Sequence, residues 1–296
     1  MIINNYKELV SNTLRRNALD ILIAGVESAI PKNCMYNSIK FRGGFLHVRN
    51  KKFDISQGKV YVIGAGKASG AMASVLEQII PPKLITKGLV NSKTYVKTRK
   101  IKINVASHPV PDERGLQGVK KMLGIVNNLT NGDTVICLIS GGGSALMPDP
   151  AEGITLEELK KMTEIMLKSG AETYELNMIR KHISTLKGGK LAKILQPATV
   201  ISLILSDIVE RHDVTASGPT EPDKSTFDDC YEILERYNLL KKIPLSIVEH
   251  IKNGVKRKIP ETAKPNEMFF NNVHNFIIAD NMIALDAMRK KAYSLG

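Results

Sequence analysis

The sequence lacks any run of about 18 apolar residues, so no helix is expected to span a membrane. Its first stretch, MIINNYKELVSNTLRRNALDIL, carries charges throughout and no apolar core. This stretch is expected to form an amphipathic helix and does not read as a secretory signal. Cysteine is scarce: Cys34, Cys137 and Cys230 are far apart, odd in number and without metal-ligand spacing. Cys137 falls inside an apolar run and reads as a small core residue. This cysteine usage fits the reducing cytoplasm, where the protein is expected. Aromatic residues make up only 5%, which leaves little for stacking nucleic-acid bases. Internal repeats and low-complexity tracts are absent.

What is present suits a soluble folded chain. With 296 residues there is room for one large domain or two ordinary ones. Apolar residues make up 43%, enough for a sizeable core, and 24% are charged. The net charge of +13 is compatible with nucleic acid, an anionic membrane surface or anionic small molecules. The basic residues are scattered and often interleaved with glutamate, so we read a solvated basic surface. Neither a nucleic-acid nor a membrane partner is expected.

Short apolar runs alternate with longer amphipathic ones. KVYVIGAGKASGAMASVLEQII predicts a strand at about Val60 to Ile63, a glycine turn and a helix to about Ile80. GLVNS, DTVICLIS, ATVISLILSD and FIIADN predict further strands. INVASHPVPDERGLQGVKKMLGIVNNL predicts a strand, a proline-rich turn and a helix. TLEELKKMTEIMLKSG predicts another helix, with Thr155 and Glu158 at capping-box spacing. The repeated order of strand, loop and helix predicts an α/β fold, a mostly parallel Rossmann-like sheet with helices on both faces. Pro244, Pro260 and Pro265 mark the segment from Lys241 to Phe270 as a domain transition. The expected organisation is a large Rossmann-like domain over 1–240, followed over 241–296 by a linker and the start of a smaller α/β domain.

Four clusters carry candidate chemistry. VICLISGGGSALMPDP runs from a buried-type strand into Gly141, Gly142, Gly143 and Ser144. Ligands bind beyond the carboxyl ends of parallel strands, and glycine there lets backbone N–H groups approach an anion. A tight turn without a ligand is the alternative. GAGKASG, from Gly64 to Gly70, satisfies neither common nucleotide-binding pattern, because its third glycine comes one position late and Tyr61 and Ala68 break the other. Lys67 remains, either to neutralise a transferring phosphoryl group at a helix start or as a solvated lysine. NMIRKHISTLKGGKLA gathers Arg180, Lys181, His182, Lys187 and Lys190 around Gly188 and Gly189. A two-pronged carboxylate contact by Arg180 stands against a plain basic helix face. LSDIVERHDVTASGPTEPD places Asp207 at a strand end, as a general base, a magnesium ligand or a turn cap.

In this order the clusters, with SHPVPDE and IIADNMIAL, resemble the glycerate 2-kinase family, whose C-terminal part is the MOFRL domain. The resemblance covers most of the chain from about Lys59 to Gly296. It implies two α/β domains flanking a cleft. It also implies transfer of the γ-phosphoryl group of ATP to the 2-hydroxyl of D-glycerate, with magnesium or another divalent cation. Lys67 matches the family's functional lysine, and Lys67 and Asp207 are the expected catalytic residues, with Asp207 also the metal ligand. Ser140, Gly141, Gly142, Gly143, Ser144, Arg180, His108 and Asn281 are expected to bind substrate. Gly64, Gly66, Lys187, Gly188, Gly189, Ser217 and Gly218 are expected to bind ATP. The partners implied are these small molecules, with a homodimer left open. The family continues into a complete smaller domain beyond the strand that IIADN resembles, and an arginine expected there is not assignable in this sequence. Some members carry the name hydroxypyruvate reductase, and a reductase or another anion-binding protein of the same fold is the alternative.

Overall fold

The computed structural model describes residues 2–208 and 212–296. The expected N-terminal helix forms as two pieces, α1 (Tyr6–Leu9) and α2 (Thr13–Ala29). The break is local chemistry: Asn12 is extended and its side chain accepts the Arg15 N–H at 2.9 Å, so a new helix starts there. Helix α3 (Pro31–Ser38) opens on proline, whose missing N–H costs nothing in a first turn. Three four-residue strands follow, β1 (Ile39–Arg42), β2 (Phe45–Val48) and β3 (Lys51–Asp54). They pair as an antiparallel meander.

The main sheet begins at β4 (Val60–Ala65). After it come α4 (Ser69–Ile79), β5 (Ile85–Ser92), β6 (Ile101–Val105), α5 (Glu113–Ile125), β7 (Thr134–Ser140) and α6 (Gly143–Leu146). Next are α7 (Leu156–Lys168), α8 (Thr173–His182), α9 (Lys190–Ile194) and β8 (Thr199–Leu205). The chain ends with α10 (Phe227–Arg236), α11 (Leu245–Val255), β9 (Val273–Ala279) and α12 (Asn281–Ser294). Six strands make one sheet in the order β6-β5-β4-β7-β8-β9, and every neighbouring pair is parallel.

Alternation in β4 and β7 sorts the core. Val60, Val62, Ile136 and Leu138 face α3, α4 and the meander. Tyr61, Ile63, Val135, Cys137 and Ile139 face α5 and α9 on the other side. Both faces of both strands are buried, which is why these strands read as unbroken apolar runs. Each fully buried isoleucine or leucine here contributes about 2 kcal/mol.

A third core lies among α7, α8, α10 and α11. Thr155 caps α7 in a capping box with Glu158, as expected, and Thr226 with Asp229 caps α10 the same way. Residues 241–296 are spread over three places. Helix α11 packs on α10, β9 pairs with β8 at the sheet edge, and α12 packs on α2. Among the described residues, no helix is long and apolar enough to cross a membrane.

Candidate active site

The strand order reverses between β4 and β7. From β4 the chain steps out to β5 and β6, and from β7 it steps out the other way. Connections that diverge like this leave a crevice above the carboxyl ends of the two strands. The loops after β4 and β7 both open there, and the loop after β8 joins them.

The loop after β7 is held as bare backbone. Gly142 has φ +80, and a Cβ on it would come within 2.6 Å of the His108 ring. A Cβ on Gly141 would come within 2.1 Å of the Asp207 carboxylate. The chain therefore threads between these two side chains only because it carries none of its own. The Gly142 carbonyl accepts from Ala145 and Leu146, so the first turn of α6 is closed. The N–H groups of Gly141, Gly142, Gly143 and Ser144 have no acceptor among the described residues. Successive N–H groups left open in this way are able to take an anion.

Charged groups ring this loop. Lys67 Nζ lies 2.9 Å from Asp207 Oδ2, and both side chains are about half exposed, at 47% and 46%. A pair so placed adds at most about 1 kcal/mol to stability, so both groups stay available to a ligand. Burial, then the nearby Lys67 and Lys93, push His108 below the ordinary imidazole value, against the pull of Asp207. This favours the neutral imidazole. Arg180, on α8, has no hydrogen bond or ion pair among the described residues. Burial lowers its pKa to about 10, which leaves it charged. A half-buried guanidinium without a counter-ion favours an incoming carboxylate or phosphate. His108, Gly142, Ser144, Asn177, Arg180 and Asp207 line a cleft of about 250 Å³. A small inner cavity of about 20 Å³, room for one water, adjoins it and shares Ser144 and Arg180.

Other expected site residues stand behind this cleft. Ser140 is 1% exposed, accepts the Ala68 N–H at 3.0 Å and fastens the two loops together. Gly64 and Gly66 face β7, where a Cβ would strike the Leu138 carbonyl or the Ser140 hydroxyl. The Gly66 N–H is spent on the Asn91 carbonyl. Lys187 is buried and donates to the Met147 carbonyl at 2.9 Å, bracing the end of α6. Burial lowers its pKa to about 8, with nearby Asp149 opposing. The N–H groups of Gly188 and Gly189 donate to the carbonyls of Ser217 and Gly218, so these four residues clasp one another. Asn281 is exposed in the first turn of α12, beyond β9. Residues 209–211 of the fourth cluster lie outside the described residues.

The sequence reading passed over Asn177. Its Oδ1 accepts from Ser217 Oγ at 3.0 Å, and Ser217 in turn meets Ser144 at 2.7 Å. These partners are 40 and 73 positions apart, and nothing in the residue types announces them. Among the described residues no three of His, Cys, Asp and Glu gather as a metal site. Asp207 offers one carboxylate, which suits magnesium only where nucleotide phosphates and water complete the shell.

Comparison with known proteins gives consistent results. The family model described as a domain of unknown function, DUF4147, matches residues 17–252. Glycerate 2-kinase from Pyrococcus horikoshii is 42% identical over 291 residues, 97% of this chain and 64% of that protein. A crystal structure of a P. horikoshii protein superposes with a TM-score of 0.86 at 41% identity, covering 97% of this chain and 65% of the other. The crystal structure of glycerate kinase from Thermotoga maritima gives a TM-score of 0.79 at 32% identity, covering 96% and 63%. The chain thus spans just under two thirds of the length of these relatives.

Proposed function

The chain belongs to the glycerate 2-kinase family through its DUF4147 domain, and from that premise we propose that its cleft transfers the γ-phosphoryl group of ATP to the 2-hydroxyl of D-glycerate. The observation that carries this reading is the convergence of three features at the switch point. These are four N–H groups and the Arg180 guanidinium, all without a partner among the described residues, and the exposed Lys67–Asp207 pair.

Each feature has a task. Arg180 holds the substrate carboxylate, because among the described residues its guanidinium has no other polar partner. The N–H groups of residues 141–144 and Lys67 hold phosphoryl oxygens. Asp207 orients the 2-hydroxyl and takes its proton. The hydroxyl oxygen bonds to the γ-phosphorus, the bond to the bridging oxygen breaks, and ADP leaves with that electron pair. Phosphoryl transfer asks chiefly for positioning and charge neutralisation, and these residues supply both. A bound magnesium ion would add charge neutralisation at the phosphates, with Asp207 as its protein ligand. His108 packs on the glycine loop and keeps its shape. The three cysteines are free and buried, in keeping with a cytoplasmic setting.

ADP release with ATP and D-glycerate, set beside NADH consumption with hydroxypyruvate, tests the reading. Release of ADP coupled to 2-phosphoglycerate is the expected result. NADH oxidation without ADP release would replace the kinase by a reductase.

A further inference from the structure

Ser144, Ser217 and Asn177 form a chain with a direction. Ser217 Oγ donates to Asn177 Oδ1 at 3.0 Å. A hydroxyl has a single proton, so toward Ser144, 2.7 Å away, Ser217 can only accept. The Ser144 proton is thereby committed inward. What Ser144 turns to the cleft is lone pair. Ser217 and Asn177 are buried, whereas Ser144 is half-buried and lines both the cleft and the inner cavity.

The backbone holds this arrangement under strain. Ala216 has φ +53 and Ser217 φ +59, conformations that side chains other than glycine rarely adopt. Such strain persists where the surroundings over-determine it, and it concentrates at functional sites. Here the clasp does so: the Gly188 N–H donates to the Ser217 carbonyl at 3.1 Å and the Gly189 N–H to the Gly218 carbonyl at 2.8 Å.

We propose that Ser144 determines specificity by accepting a hydrogen bond from the non-transferred hydroxyl of a dihydroxy acid, with Ser217 and Asn177 as positioning residues that fix its polarity. The proposal rests on the kinase reading of the cleft. With the carboxylate on Arg180, the 2-hydroxyl must face Lys67 and Asp207 for transfer. The second hydroxyl is then a donor that needs an acceptor, and Ser144 lines the same cleft and inner cavity as Arg180. An acid without that hydroxyl leaves the lone pair unmatched, and a site built for a hydroxyl discriminates against such an analogue.

Calorimetric titration of D-glycerate and D-lactate tests this without requiring turnover. The wild type should bind D-glycerate about tenfold more tightly than D-lactate, the effect of about one hydrogen bond. Ser144→Ala should weaken glycerate alone, so that the two acids bind equally. Ser217→Ala frees the Ser144 proton and should shrink the ratio while lactate affinity holds. A purely structural Ser217 would weaken both acids together, which would remove it from the proposal. Equal binding of the two acids by the wild type, or an unchanged ratio in Ser144→Ala, overturns the proposal and leaves the kinase reading standing. Binding of neither acid overturns both.

Discussion

Two lysine–aspartate pairs in this molecule are nearly equal in length and opposite in setting. Lys67–Asp207 spans 2.9 Å with both side chains about half exposed. Lys181–Asp223 spans 3.1 Å with side chains 6% and 3% exposed. Asp223 also accepts from the N–H and hydroxyl of Ser225. Next to it, His182 meets Glu261 at 3.2 Å, and Lys190 donates to the carbonyls of Lys181 and Ser184. Distance alone does not tell the two pairs apart. Burial and the number of further hydrogen bonds do. The buried block fixes the end of α8, and Arg180, one position before Lys181, is thereby set on the cleft. The exposed pair fixes nothing and is free to meet a ligand.

The largest expected effect is on the buried side. Lys181→Met leaves Asp223 charged and unpaired in the interior and should cost about 3–5 kcal/mol of unfolding free energy in a denaturant titration. Lys67→Met should cost less than about 1 kcal/mol. Equal losses would erase the distinction.

On the cleft side, Asp207→Asn removes a charge and keeps the shape. Turnover should fall by about 10² or more at every magnesium concentration if Asp207 takes the proton. A defect that vanishes at high magnesium would instead make it chiefly a metal ligand. Near-normal kinetics would reduce it to a turn cap.

The buried block should also respond to acid. Burial pushes Glu261 up, but the His182 hydrogen bond, the Phe227 N–H and Lys264 outweigh it and bring the carboxyl down to about 2. A carboxyl lowered on folding stabilises the protein above its unfolded value of 4.5, and that contribution is lost as pH falls from there toward 2. The stability gap between wild type and Glu261→Gln should therefore be about 2 kcal/mol near neutrality, allowing for partial exposure, and close in that window. A gap independent of pH would show that the carboxylate's charge plays no part. Smaller still, Gly142→Val should weaken binding of both substrates by about tenfold, since a side chain at φ +80 would strike His108. Normal affinities by calorimetry would make the loop a turn and nothing more.

How much of this was legible in the sequence follows the same division. The parallel strands were, because strands buried on both faces read as continuous apolar runs. The loops at their carboxyl ends were legible as glycine or aspartate following such runs. The meander of residues 39–54 was not, since IKFR, FLHV and KKFD are only four residues each and the outer two carry several charges. Pro244, within the segment expected to be a domain transition, precedes the first turn of α11, where proline is well tolerated. Arg180, Lys181 and His182 are consecutive basic residues on one helix. The first lines the cleft and the other two enter the buried block. Lys187, expected at the nucleotide, and Lys190, beside it in the same basic cluster, are instead drawn inward, and burial lowers both to about 8. Their partners are carbonyls, which every residue has, so residue type could not reveal them. The serine–asparagine chain was hidden for a similar reason, being assembled from three distant segments.

If the cleft is a kinase site, the exposed pair serves chemistry and the buried pair serves the fold. Turnover and unfolding free energy measured on one preparation of Lys67→Ala test it most directly. The turnover number should fall by about 10² or more, with unfolding free energy within about 1 kcal/mol of wild type. Unchanged turnover, or a loss of activity matched by a comparable loss of stability, would contradict it.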